Sequence, residues 1–434
     1  MSLLIANAMI LTMTGETVTP IQGDLLIEGD LITAVGEVSA EQQAQAEEVI
    51  DAQGMVALPG LVNCHNHAAM SILRGFSEDL RLMEWLSQKM WPAEARMTQE
   101  DVYLGTLLAA VEMIKSGTST FADMYVFTDS VAQAVIDSGM RAALTRGMLD
   151  APEGRETRFA EARALFETWN GAGDGRLTVM AGPHGPHTCP PAFLQEVCKL
   201  ADEFNAPLHI HLAETTEEVE IIRKAYGLTP TEYLKEVGLF DHHVVLAHSV
   251  HLTAGDIEIL RESKLRGGIA HNPVSNLKLG CGIAPVTEYL RAGLTVGLGT
   301  DGPGSATTLD MFEEIKAAAW LQKVQTFDPT ALTAAQVLQM ATREGAKVLA
   351  LDSAIGTLEA GKKADVILVD TNAAHLRPHH DLTALLAYSA NGADVHTTIV
   401  GGEVLMRGRK LTKLDEQGLI GEIEQRAKFI TAGI

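Results

Sequence analysis

Through its middle the chain alternates apolar runs of strand length with amphipathic runs of helix length. Strand-like runs fall at 117–124, 141–148, 177–184, 207–212, 243–249, 265–271 and 294–300. Each is rich in apolar residues and closes on turn or polar residues. Helix-like runs lie between most of them, at 99–115, 157–169, 192–204, 216–226 and 253–263. Taking 55–62 as the first strand gives about eight βα units, with 309–322 and 334–351 as closing helices. Buried parallel strands joined by long crossovers predict the α/β class, and this number of units predicts a (β/α)8 TIM barrel.

The two ends read differently. Residues 2–12 and 24–35 are short β segments punctuated by Gly23-Asp24 and Gly29-Asp30, and 366–369, 395–400 and 403–406 are β segments near the C-terminus. Neither end holds enough strands for a stable sheet. Both ends are therefore expected to pair into one small β-sandwich domain. The division that follows is 1–55 and 356–434 for this domain, with a tail after about residue 411, and 56–355 for a metal-dependent catalytic barrel.

Barrels of this kind carry their chemistry at the C-terminal ends of the strands. Here those ends carry His65 and His67, Arg146, His184 and His187, His209 with His211 and Glu214, His248 and His251, His271-Asn272, and Asp301 with Ser305. Singly, each reads as a helix cap or a satisfied histidine. Together at one rim they would be costly to desolvate without a task. Side chains at i and i+2 of a strand share a face, so His65 and His67 reach one point. An isolated pair of this spacing is more often a strand-end turn, and the downstream groups change the odds. His211, nearer the rim than His209, supplies a third nitrogen, and Asp301 an oxygen. That set suits a divalent ion with a position left for water, Zn²⁺ being the first choice among several. Water on such an ion ionises near neutral pH. The fourth strand, 177–184, has no lysine to bridge a second ion, so one metal is expected.

Charge and composition narrow the partners. The 434 residues carry a formal charge of −23, which argues against binding nucleic acid. No apolar run approaches the ~18 residues of a membrane span. The N-terminus lacks a basic region and cleavage site, and the four cysteines form no CxxC pair, so a cytoplasmic protein is expected. GxGxxG and GxxxxGK[ST] are absent after the first strand, so nucleotide phosphates are not cradled there.

The motifs PGLVNCHNHAAMSILRG (59–75), DLRLMEWLSQKMWPAEARMT (79–98), GTSTFADMY (117–125), TRGM (145–148), GPHGPHTC (182–189), HIHLAET (209–215), LAHSVHL (246–252), AHNPVSNLKLGCGIAPV (270–286), GLGTDGPGS (297–305) and GTLEAGKKADVILVD (356–370) run nearly end to end. In them the chain resembles the amidohydrolase superfamily. Within it, the chain is similar to the 5-methylthioadenosine/S-adenosylhomocysteine deaminases, a branch marked by the 79–98 segment.

The resemblance implies that His65, His67, His211 and Asp301 bind the metal. It implies that Asp301 takes a proton from the attacking water, Glu214 protonates the substrate ring nitrogen, and His248 hydrogen-bonds the attacking hydroxide. Glu94 would grip the ribose hydroxyls, and Arg146 and His184 would meet the sugar and its 5′ substituent. Trp85 and Ser305 join the substrate-binding group, Trp85 through the long loop that covers the substrate in this branch. Glu214 could otherwise be a carboxylate favoured by a helix N-terminus, and Glu94 a surface charge. Relatives often have tyrosine where this chain has His187, which bears on substrate preference. His187 is given no catalytic role.

The implied reaction is hydrolytic deamination of S-adenosylhomocysteine, 5′-methylthioadenosine and adenosine to their inosine analogues. The implied partner is a small nucleoside, and the family suggests a homo-oligomer. A triazine-type chlorohydrolase or aminohydrolase on the same scaffold is the alternative. A guanine or cytosine deaminase would not need Glu94 or Arg146, and a non-enzymatic member would not need the full ligand set. The HxE…PCxxC signature of the unrelated base-editing deaminases is missing.

Overall fold

A computed structural model describes residues 2–80, 82–151 and 153–434. Arg81, within the segment that marks the branch, lies outside the described residues. Two sheets organise the chain. The first is an eight-stranded parallel barrel wall in sequence order. Its strands are β1 (Leu61–Asn66), β2 (Thr118–Tyr125), β3 (Arg141–Met148), β4 (Leu177–Pro183), β5 (Leu208–Leu212), β6 (His243–His248), β7 (Arg266–His271) and β8 (Val296–Leu298).

Outward-facing Leu208, Ile210 and Leu212 of β5 join the large core between wall and helices. His209 and His211 alternate with them and face the other way. Val62, Ala143, Met180, Val245 and Ala270 form a separate buried cluster with Ala346 and Val348 of the helix Arg343–Val348, an apolar floor beneath the polar rim.

β1 and the segment after β8 close the wall through the Asn63 side chain and one backbone bond rather than a ladder. The Asn63 amide donates to Thr300 Oγ1 at 2.7 Å, and its oxygen accepts the Thr300 N–H at 3.0 Å. The Asp301 N–H donates to the His65 carbonyl at 3.0 Å, which sets Asp301 beside His65.

The second sheet is mixed, nine-stranded, and built from both chain ends. The run expected to be a single first barrel strand, 55–62, is two strands in two sheets. Met55–Pro59 belongs to the second sheet, parallel to Ser2–Ile10 and antiparallel to Val366–Asp370, so it joins the N-terminal part to the C-terminal part beyond the expected boundary at 55. The break falls at Gly60, where a Cβ would lie 2.3 Å from Ser119 Oγ, so only glycine lets the chain pass between sheets there. Leu3, Ile5 and Leu25 from one end share a core with Val366, Leu368 and Ile399 from the other.

A buried ion pair couples the sheets. Arg141, at the start of β3, donates Nε and Nη2 to Asp365 Oδ2 and Oδ1 at 2.9 and 3.0 Å. Asp365 Oδ1 also accepts the Gly401 N–H at 2.8 Å. The two side chains are 4 and 2% exposed, so removing one partner strands the other's charge. We expect Asp365→Ala to cost about 3–5 kcal/mol of stability. Denaturant unfolding measures this, and a loss below about 1 kcal/mol would show that the pair does not couple the sheets.

Among the described residues, no helix is long and apolar enough to cross a membrane.

Candidate metal centre

The rim of the barrel brings the histidines together. Ligand atoms of His65, His67 and His211 lie within 4.8 Å of one another, as do those of His65, His248 and Asp301. Asp301 Oδ1 is 3.4 Å from His65 Nε2 and 3.3 Å from His67 Nε2.

The far side of each ring is anchored. His67 Nδ1 donates to the Met124 carbonyl at 2.6 Å, and His211 Nδ1 donates to the His184 carbonyl at 2.7 Å. A ring that donates from Nδ1 presents an Nε2 lone pair. His65 Nδ1 pairs with His209 Nε2 at 2.8 Å, so His209 supports a ligand rather than replacing one, and its own Nδ1 lies 3.3 Å from Thr145 Oγ1.

His65 Nε2 is buried with no hydrogen-bond partner among the described residues. Burial pushes His65 down to about 3 and holds His211 well below its ordinary value, which keeps both neutral and able to ligate. Burial opposes ionisation of Asp301, but His65, His248 and His67 outweigh it and hold the carboxyl well below the usual range. Three converging imidazoles, that of His65 with its Nε2 buried and unpartnered among the described residues, and one ionised carboxylate fit a divalent cation.

Asp301 is fixed from behind. Its Oδ2 accepts hydroxyls from Ser275 and Ser305, both at 2.6 Å. Ser305, expected on the substrate side, is therefore placed as a partner of Asp301.

Glu214 and His248 face each other across the site, with Oε2 and Nε2 3.8 Å apart. His248 Nδ1 donates to Asn276 Oδ1 at 2.9 Å. Burial raises the Glu214 carboxyl above its ordinary value. Burial opposes protonation of His248, but Glu214 and Asp301 lift it above the usual imidazole range. The thiol of Cys281 lies 3.8 Å from Glu214 Oε1.

The remaining expected residues are less uniformly placed. Glu94 ends the helix Trp91–Glu94 and accepts the Tyr125 hydroxyl at 2.7 Å, next to the β2 end that anchors His67. Burial raises its carboxyl. Trp85 is buried against the loop after Asp301, where a Cβ on Gly304 would lie 3.2 Å from its ring. The ring of His184 lies 4.9 Å from that of His211, and its Nδ1 pairs with Thr188 Oγ1 at 3.0 Å. His187 Nδ1 is buried without a partner among the described residues. Arg146 is turned away from the cluster, pairing through Nε with Glu161 Oε2 at 2.7 Å on the surrounding helix Arg155–Trp169. Its neighbour Thr145 takes the inward position.

Asn63, Ser275 and Asn276 support the site without any ligand chemistry that marks them in the sequence. Asn63 stands two residues before His65, and Ser275-Asn276 follow the His271-Asn272-Pro273 strand end, so both sets lie inside motifs already marked.

A barrel with this donor set at its rim defines a class of metal-dependent hydrolases, and sequence comparison agrees. The chain belongs to the amidohydrolase family, whose model matches residues 56–405. Within that family its relatives include proteins named 5-methylthioadenosine/S-adenosylhomocysteine deaminase. The one from Pelotomaculum thermopropionicum is 53% identical over 86% of this chain and 85% of its own length. An adenosine deaminase from Xanthomonas campestris, solved with bound zinc, superposes with a TM-score of 0.94 at 32% identity, covering 99% of this chain and 98% of its own. The zinc-complexed atrazine chlorohydrolase of Arthrobacter aurescens TC1 superposes with a TM-score of 0.88 at 25% identity, covering 98% and 100%.

Proposed function

We propose that this chain is a hydrolytic deaminase of adenosine-type nucleosides. Its substrates would be S-adenosylhomocysteine, 5′-methylthioadenosine and adenosine, and its products the inosine analogues and ammonia. The observation that carries the reading is the placement of Glu214 and His248 around the focus of His65, His67, His211 and Asp301. The relatives named for these substrates support it. One Zn²⁺ is the expected ion, since β4 supplies no bridging lysine.

A divalent ion held by these four residues lowers the pKa of water towards neutrality. Asp301, ionised and braced by Ser275 and Ser305, accepts the proton released by the attacking water. His248, oriented by Asn276, hydrogen-bonds the resulting hydroxide and directs it at C6 of the adenine ring. Glu214, whose carboxyl burial biases towards the protonated form, donates to the ring nitrogen beside C6 and makes that carbon electrophilic. As the tetrahedral centre collapses, Asp301 returns its proton to the departing amine, the C6–N bond breaks and ammonia leaves, while the C6 hydroxyl gives its proton back to Glu214 and becomes a carbonyl.

Loss of the adenine ultraviolet absorbance follows the reaction over a panel of 5′-substituted adenosines, with melamine-type triazines alongside. No loss with any adenosine derivative at high enzyme would overturn the substrate class. Turnover of the triazines alone would favour the chlorohydrolase reading.

We take Glu94 to accept a ribose hydroxyl on its carboxylate, a reading supported by its place beside the β2 end that anchors His67. A hydrogen bond to a charged group contributes about 1.5–3 kcal/mol. Glu94→Gln is therefore expected to raise KM roughly 10–100-fold while kcat changes little. An unchanged KM would remove Glu94 from the substrate site. Arg146 and His184 remain the candidates for the 5′ substituent, Arg146 on condition that it exchanges Glu161 for substrate.

We also take the protein to act in the cytoplasm as a homo-oligomer. Exposed Trp320 and Val324 on the helix Met311–Thr326 and Phe327 just beyond it offer an apolar face for a second copy. Light scattering would contradict the homo-oligomer by showing a monomer at working concentration.

A further inference from the structure

We propose that Glu218 is a positioning residue whose carboxylate holds the turn that delivers Glu214 to the substrate. The inference rests on the acid role of Glu214 given above.

The helix Thr216–Tyr226 begins at Thr215, whose hydroxyl accepts the Glu218 N–H at 3.2 Å. Elsewhere in this chain, an acid three residues after such a cap turns back to the cap's own N–H. Asp101 does so to Thr98 at 2.7 Å, Glu232 to Thr229 at 2.7 Å and Asp256 to Thr253 at 2.8 Å. Glu218 does not. It reaches past Thr215 and takes the Ala213 N–H on Oε1 and the Glu214 N–H on Oε2, both at 3.0 Å. One carboxylate thus spans the two peptide units on either side of Ala213, the residue that leads into Glu214. Glu218 is only 4% exposed, and a buried carboxylate is tolerated where such bonds compensate its desolvation.

The segment it clamps needs holding. Ala213 has φ 48°, in the left-handed region that is strained for a residue with a Cβ. The facing turn after β6 is left-handed as well, with φ 69° at His248 and 50° at Ser249. The two turns are tied together. The Ser249 N–H donates to the Leu212 carbonyl at 2.8 Å, and the Val250 and His251 N–H groups donate to the Ala213 carbonyl at 3.1 and 2.9 Å. Glu218 therefore fixes the donor side of the same peptide strip whose acceptor side is fixed by the His248 turn. The result is the 3.8 Å approach of Glu214 to His248. Strained backbone of this kind persists where surrounding bonds over-determine it.

Glu218→Gln keeps the shape but points an NH2 group at one of the two backbone donors. Glu218→Asp keeps the charge but shortens the reach. Turnover is read per folded, metal-loaded chain. Either variant is expected to lower kcat about 10–100-fold, as misplacement of a reacting group by a fraction of an ångström to an ångström does, with KM and bound metal unchanged.

The decisive arm is a double-mutant cycle. In the Glu214→Gln background, Glu218→Gln should cost less than about twofold, because the group it positions has already been disabled. Thr215→Ala serves as the control. It removes the helix cap, lowering stability, and leaves kcat intact.

Equal losses from Glu218→Gln in both backgrounds would overturn the proposal and make Glu218 a stabilising residue only. Normal kcat in Glu218→Gln together with slow Glu214→Gln would sink the positioning role alone. Normal kcat in Glu214→Gln would sink the acid role beneath it.

Discussion

Glu214→Gln is expected to lower kcat by about 10²–10⁴-fold while bound metal, KM and thermal stability stay at the levels of the unaltered protein. That range is the usual contribution of a positioned proton donor. It corresponds to about 3–5 kcal/mol of barrier. The substitution isolates the proton, because glutamine has the volume of the acid and can occupy the space beside His248 and Cys281. Glu214 follows His211 by three residues across the left-handed Ala213, so the turn that ends β5 places it beside the ligand cluster without its being a ligand. Burial raises its carboxyl above the ordinary value, which favours the proton a donor needs before each turnover. Near-normal turnover in this variant would take the acid role away from Glu214.

Asp301→Asn is expected to be at least as damaging. It removes two functions at once: an anionic oxygen 3.3–3.4 Å from two imidazole nitrogens, and the acceptor of the proton from water. The Ser275 and Ser305 hydroxyls can still donate to an amide oxygen, which would turn the NH2 group towards the imidazole cluster. Bound metal should fall at ordinary metal concentrations. Loss of a general base alone accounts for about 10²–10⁴-fold in kcat. Excess Zn²⁺ should therefore restore occupancy without restoring rate. Full recovery of kcat with added metal would show that Asp301 is a ligand and nothing more.

Much of this site could be read before any coordinates. The one-residue spacing of His65 and His67, the polar strand ends and the solitary Asp301 after a short apolar strand mark a ligand set, because strand geometry and barrel topology dictate where such groups meet. Three features were not legible, each for a physical reason. The apolar run 55–62 hides a change of sheet, since both of its halves are buried and only the close approach at Gly60 divides them. Sequence shows the Ser305 hydroxyl but not its acceptor, Asp301 Oδ2, and so leaves it on the substrate side. Glu218 looks like an ordinary acid in a helix's first turn, and its reach back to Ala213 and Glu214 depends on a left-handed residue that sequence marks only when it is glycine. Arg146 was placed by its motif. Strand alternation, with Thr145 inward beside His209, would have pointed it to the outer helix.

Titrating metal-free protein with Zn²⁺ while following adenosine turnover tests the account most directly. Activity absent without metal, rising linearly and levelling at one equivalent per chain is the predicted result. Turnover that survives complete removal of metal, or a plateau only at two equivalents, would contradict it.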